Sequence, residues 1–229
     1  MLVSRFPYQK LSRKSENGVR LYSCPDGSKL PSVTTVLDRT KSEEKKQILE
    51  NWKKRVGRDN AAAITKAAGS RGTRIHTFLE NYMRNDSLGE SGTNPISIES
   101  YKMASHIIEN GLKHITEFYG TEVSLYYPNL WAGTTDCIGL YNGELAICDF
   151  KQTNKPKKRE WIEDYFLQIS SYALCHDKLY NTDIKYGIIM MCNPDFAYQQ
   201  WIIESDELEK YKELWWQRLE KYYQNKFGL

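Results

Sequence analysis

Two apolar runs joined by Asn142-Gly143 constrain this chain more than anything else in it. Asn-Gly supplies the two positive-φ residues of a type I′ turn, whose twist matches that of paired strands. Strands over about 131–140 and 144–151 are therefore expected to fold back on each other. With Tyr141 and Glu144 flanking the turn, Asp136 and Asp149 face each other on one side of the ladder. Lys151, two residues further on, points the same way. Directly opposed like charges destabilise a sheet, so such a pair invites a cation. Two hard oxygen anions at roughly 5 Å suit Mg²⁺ or Mn²⁺. Cys137 and Cys148 point to the other face, as small core side chains.

The rest of the sequence sets bounds on this reading. At 229 residues the chain suits one domain, expected here as a single unit over 1–229. Net charge is only +3, so a nucleic-acid surface must come from clustering rather than bulk charge. Basic residues do cluster at Lys155, Lys157, Lys158 and Arg159, and again at Lys45, Lys46, Lys53, Lys54, Arg55 and Arg58. The 16 Tyr and 6 Trp allow base stacking, although most such rings serve as core. Five scattered cysteines show no zinc spacing and argue for free thiols in a reducing compartment. Neither a membrane-length apolar run nor a signal-peptide stretch is present.

Along the chain, residues 8–30 read as short strands with turns at Glu16-Asn17-Gly18 and Pro25-Asp26-Gly27. Pro31 to Thr35 opens a short helix, where Ser32 and Thr34 either cap the helix or meet a phosphate. Thr40 with Glu43 resembles a capping box for a helix through about Arg55. A second helix is expected over 59–68, broken at Gly69, and a third over 71–84 carrying Arg74, His76 and Glu80. A Ser/Gly/Asn/Pro-rich loop (85–97) precedes a helix over 98–119, with Ile107, Ile108, Ile115 and Phe118 towards the core. Strands follow at 121–127, then the hairpin, a helix over 159–180, strands at 184–192 and 198–203, and an amphipathic helix over 205–226. That order is α/β or α+β.

Side chains around the hairpin extend the constellation. Glu122 is either a third carboxylate or a surface residue at a strand end. A lone His is more often structural than a ligand, so His76 by itself decides nothing, and Glu80 one turn on could orient it. Gln168 and Tyr172 share a helix face and suit contact with phosphate or water. Directly after an acidic strand, the loop Lys155–Arg159 suits contact with backbone phosphates. The carbonyl of Phe150 is a further oxygen donor. A metal would polarise a scissile phosphate and acidify water, and a neighbouring lysine would stabilise negative charge. The expectation is a phosphodiester hydrolase.

Gly72-Thr73-Arg74-Ile75-His76, Glu122, Gly133-Thr134-Thr135-Asp136, Asp149-Phe150-Lys151 and Gln168-x-x-x-Tyr172, in that order and spacing, resemble the RecB-like branch of the PD-(D/E)xK nucleases. Leu30 to Leu37 and the Lys/Trp-rich segment after it are similar to a mitochondrial exonuclease of that branch. The resemblance implies an α/β PD-(D/E)xK (restriction-endonuclease-like) core, a central mixed sheet flanked by helices with N-terminal helical additions. It divides the chain into N-terminal hairpins and a helical arch (1–69), the core (70–204) and a C-terminal helix (205–229). It implies Mg²⁺ or Mn²⁺ held by His76, Asp136, Asp149, the Phe150 carbonyl and Glu122. Asp136, Asp149 and Lys151 would be catalytic, with Gln168, Tyr172, Arg74, Ser32, Thr34, Lys155, Lys157 and Lys158 on the substrate. The cysteines do not reproduce the four-cysteine iron–sulfur arrangement of some relatives, so no cluster is expected.

The implied activity is DNA exonuclease, favouring single strands threaded beneath the arch, which residues 40–68 would form. An endonuclease of the same family, or a catalytically silent DNA-binding module, are the alternatives. No membrane association is expected, and the sequence names no protein partner. Without a clear mitochondrial address, the cytoplasm of a bacterium or phage-infected host is expected rather than an organelle.

Overall fold

The computed structural model describes residues 2–228. Its main body is a five-stranded mixed sheet built from β4 (Ile115–Tyr127), β5 (Trp131–Tyr141), β6 (Glu144–Gln152), β7 (Tyr186–Cys192) and β8 (Tyr198–Glu204), in that spatial order. All neighbours are antiparallel except β6 and β7, whose parallel pairing needs a crossover. α5 (Glu163–Tyr180) supplies it.

Helices cover both faces. On one, α5 and α6 (Ser205–Phe227) enclose a core that includes Ile138, Ile147, Phe166, Ile169, Trp131 and Trp215. Trp131 and Trp215 meet edge to face at 5.4 Å, a geometry worth about 0.5–1.5 kcal/mol beyond the area it buries. On the other, α3 (Arg58–Asn85) and α4 (Pro95–Asn110) pack Ile75, Leu79, Met103 and Ile107 against Cys137, Cys148 and Phe150. All five cysteines are buried and unbridged. No helix among the described residues is long and apolar enough to cross a membrane.

A second, three-stranded antiparallel sheet, β1 (Ser12–Glu16), β2 (Val19–Ser23) and β3 (Lys29–Pro31), precedes α1 (Val33–Arg39). It docks on the main sheet through a bridge between Ser32 and Ala132 and a 3.0 Å hydrogen bond between Tyr22 Oη and Thr134 Oγ1. α2 (Glu43–Val56) buries none of its side chains, and most of the first half of α3 is exposed as well.

Several boundaries differ from the sequence reading, and α5 itself begins at Glu163 behind a single 3-10 turn (Arg159–Trp161) rather than at 159. α2 is capped by Ser42, which accepts from Lys45 N–H, while Thr40 closes α1 by donating to the Val36 carbonyl. Ser42 wins because Thr40 is already committed to the preceding turn. α3 runs unbroken through Gly69, since one glycine costs a helix only about 1 kcal/mol and an Ala-rich stretch precedes it. α4 starts earlier, at Pro95 behind the Asn94 cap, and ends at Asn110. Ile115 and Phe118 therefore lie on β4 rather than on a helix. Gly111 is the C-cap, its N–H still bonding the Ile107 carbonyl, and it has no room for a side chain: a Cβ there would sit 2.2 Å from Tyr198 Oη.

Candidate active site

The hairpin forms in the register that the turn dictates. Asn142 and Gly143 take φ of +51° and +80°, Tyr141 pairs with Glu144, and Cys137 pairs with Cys148. The side-chain alternation then places Asp136, Asp149 and Lys151 on the α5 face of the sheet, with Cys137, Cys148 and Phe150 beneath α3 and α4. Both aspartates are buried. Lys151 Nζ forms an ion pair with Asp149 Oδ2 and lies 5.0 Å from the Tyr165 ring centroid. Asp136 Oδ2 accepts the Phe150 N–H at 2.6 Å, which locks one carboxylate to the neighbouring strand.

His76 reaches this group from α3. Gly72, Thr73, His76, Thr77 and Glu80 line one face of the helix towards the cleft, while Ile75, Phe78 and Leu79 fill the core behind it. His76 Nδ1 lies 3.3 Å from Asp136 Oδ1 and 3.5 Å from Glu122 Oε1, and its Nε2 is 3.0 Å from the Phe150 carbonyl oxygen. A carbonyl only accepts, so Nε2 donates to it and Nδ1 is the nitrogen that faces the two carboxylates. One ligand atom from each of His76, Glu122 and Asp136 falls within 4.8 Å of the other two. Glu122 has φ of +50° in mid-strand, a left-handed conformation costing a non-glycine residue about 1–2 kcal/mol. Strain of this kind concentrates where a side chain must be aimed.

Electrostatics records the crowding. Burial, with the Asp136 charge adding to it and Lys151 opposing it, pushes the Asp149 carboxyl up to about 6. Burial would raise Asp136 too, but the charges of His76 and Lys151 and the Phe150 N–H outweigh it and hold that carboxyl low. For His76, burial disfavours the imidazolium, yet Asp136 and Glu122 raise its pKa well above the ordinary value. Lys151 is desolvated as well, and the two aspartates more than compensate, so it stays charged.

The cleft has a volume of about 380 Å³ and takes in Ser32, Thr34, Gln168 and Tyr172 along with the acidic residues. Ser32 Oγ caps α1 by accepting Thr35 N–H. Gln168 Nε2 donates to Tyr172 Oη at 3.0 Å, and both side chains are buried.

Not every expected residue arrives there. Arg74 points to Ser97 Oγ on α4, because two residues from His76 is more than half a turn around the helix. Lys155, Lys157 and Lys158 do not line the cleft: main-chain N–H and carbonyl of Lys157 both bond the Gln199 side chain, turning that loop towards β8. Glu80 lines the cleft but pairs with Arg84 rather than orienting His76. The sequence reading missed Arg13 and Arg20, which reach the cleft from β1 and β2. It also missed Arg71, whose guanidinium joins Gln152, Asn154 and Glu99 and so ties α3 and α4 to the end of β6. Two arginines on a hairpin carry no local signal for a site more than a hundred residues away.

No protein-family model matches the chain. It is 28% identical over 209 residues to human mitochondrial genome maintenance exonuclease 1, covering 86% of this chain and 59% of that protein. It is 30% identical over 205 residues to the mouse protein of the same name, covering 84% of this chain and 59% of that one. The chain thus spans less than two thirds of the length of these curated relatives. A solved structure of a candidate exonuclease from Eubacterium rectale shares the fold with a TM-score of 0.50 at 12% identity, over 71% of this chain and 68% of that one. With the order of motifs in the sequence, these likenesses relate the chain to the RecB-like branch of the PD-(D/E)xK nucleases.

Proposed function

We propose that this protein is a divalent-metal-dependent DNA exonuclease that prefers single strands or DNA ends. The observation that carries the reading is the convergence of His76, Glu122 and Asp136 beside the Asp149–Lys151 ion pair. The exonuclease names of the relatives support the same activity.

The donor set fits a hard divalent ion. Carboxylate oxygens and one imidazole suit Mg²⁺ and Mn²⁺, and without a cation the packed carboxylates are offset by His76, Lys151 and the Phe150 N–H. His76, Glu122 and Asp136 would form the centre of such a site, and Asp149 and the second lone pair of the Phe150 carbonyl, the other ligands the family resemblance implies, would complete it. When bound, a divalent cation would supply positive charge to the phosphoryl oxygens and acidify water. Lys151, kept charged by Asp149 and Asp136, stands ready to neutralise charge that builds on the phosphate in the transition state. Gln168 and Tyr172, fixed by their mutual hydrogen bond, can hold a phosphate oxygen or the attacking water. The three-stranded sheet docked on β5 lines one side of the cleft with Arg13, Arg20 and Tyr22, which gives a strand both cations and an aromatic ring to meet.

The test is digestion of end-labelled single- and double-stranded DNA with Mg²⁺ and with Mn²⁺, EDTA as control, and circular single-stranded DNA as a substrate without ends. Stepwise, EDTA-sensitive shortening of linear single strands with intact circles is expected. Cleavage of circles, or none of any substrate, would overturn the exonuclease reading.

A further inference from the structure

A second groove, about 680 Å³, opens directly from the catalytic cleft. The two share Arg13, Tyr22, Glu80, Glu122 and Thr134 as a common wall, and the second runs between residues 8–13 and the middle of β4.

Its positive charge is placed by strand register. Arg13 pairs with Tyr22, and Ser15 pairs with Arg20, so Arg13, Arg20 and Tyr22 stand on one face of the β1–β2 hairpin. Tyr22 is held to Thr134, which turns that face towards the metal-ligand cluster. Arg20 then lines the cleft, Arg13 sits at the junction, and Lys10 continues along the second groove. These three side chains are exposed. None takes part in an ion pair among the described residues, whereas Arg84 in the opposite wall is matched by Glu80. Unpaired cations following a groove that leads out of an acidic, metal-binding centre fit a chain of phosphates.

We infer that this groove is a track for the polynucleotide strand on one side of the scissile phosphate, with Arg13 and Lys10 contacting successive backbone phosphates. The inference rests on the nuclease reading and adds to it a specific path for single-stranded DNA.

The experiment compares Lys10→Ala, Arg13→Ala and the double variant with the parent, on a trinucleotide and on a long single-stranded oligonucleotide. Both residues are exposed, so the variants fold. Each loss should raise KM for the long substrate about 3- to 10-fold and flatten its salt dependence by about 0.7 in log–log slope. The effect should fall in KM more than in kcat, and trinucleotide kinetics should be insensitive to Lys10→Ala. Unchanged KM and salt slope would overturn the track. Binding of a fluorescent oligonucleotide to Asp149→Asn protein, with and without these substitutions, separates the two readings. A parent that cuts DNA while the variants bind normally sinks the track alone. A parent that never cuts but binds through Lys10 and Arg13 sinks the nuclease reading and leaves the track standing.

Discussion

Cys137 and Cys148 face each other across the β5–β6 ladder on the side away from the cleft, and this pairing is what sets Asp136 and Asp149 side by side on the other face. Changing either aspartate to Ala should cut DNA cleavage by about 10³-fold or more while leaving the far-ultraviolet circular dichroism spectrum and cooperative melting in place. A variant that retains parental activity would remove these residues from the mechanism.

Lys151 has a different signature. Lys151→Met should lower kcat by about 10²–10³-fold with a smaller change in KM. Removing the ammonium also removes what opposes the rise of the Asp149 pKa, so the acid limb of the pH–rate profile should move to higher pH. An effect confined to KM, with an unmoved acid limb, would make Lys151 a substrate contact instead.

The pH dependence of stability without metal follows from the same groups. Asp149 is raised from 3.8 to about 6, so its contribution is complete below pH 3.8 and lost as pH rises through about 6. His76 is also raised, so its contribution is present below its ordinary pKa and lost on the alkaline side. Asp136, held low, acts only in more acidic solution. In EDTA, the site's contribution should therefore make the melting temperature fall from pH 4 towards pH 8. Asp149→Asn should flatten the part of that fall lying below about pH 6. Mn²⁺ should restore stability most strongly on the alkaline side, where its ligands are deprotonated. A parent and an Asp149→Asn variant with parallel melting profiles would contradict the assignment.

Packing beside the site gives a further expectation. A Cβ on Gly133 would lie 2.4 Å from Tyr172 Cε1, and that ring is buried and tethered to Gln168. Gly133→Ala should cost about 1–3 kcal/mol through overpacking, read as a lower urea midpoint, and should reduce activity by displacing Tyr172. A neutral outcome would mean that the ring has room to retreat.

Local chemistry made part of this molecule legible. Asn142-Gly143 fixes the turn, and a side-chain period of two carries that register to Asp136, Asp149 and Lys151 without any long-range information. The helix over 159–180 and the closing helix were legible because their apolar spacing repeats over several turns. Where the reading slipped, local signals were ambiguous. Ile107, Ile108, Ile115 and Phe118 continue a helical spacing across Gly111, and only the pairing of Ile115 and Phe118 with β5 takes the last two into a strand. Gly69 carried the opposite message and was overridden by the helix around it.

Sequence alone therefore determined the hairpin, the common face of Asp136, Asp149 and Lys151, and the order of elements, because turns and periodicity are properties of neighbouring residues. Spacing left open whether His76 and Glu122 join those acids, a role only the family resemblance implied; tertiary structure brought them together, aimed Glu122 at the imidazole from a left-handed backbone and turned Arg74 to Ser97. It also brought Arg13 and Arg20 over the cleft through one tyrosine–threonine hydrogen bond and a short bridge. Contacts between residues a hundred positions apart depend on how sheets and helices pack, and no local pattern encodes that.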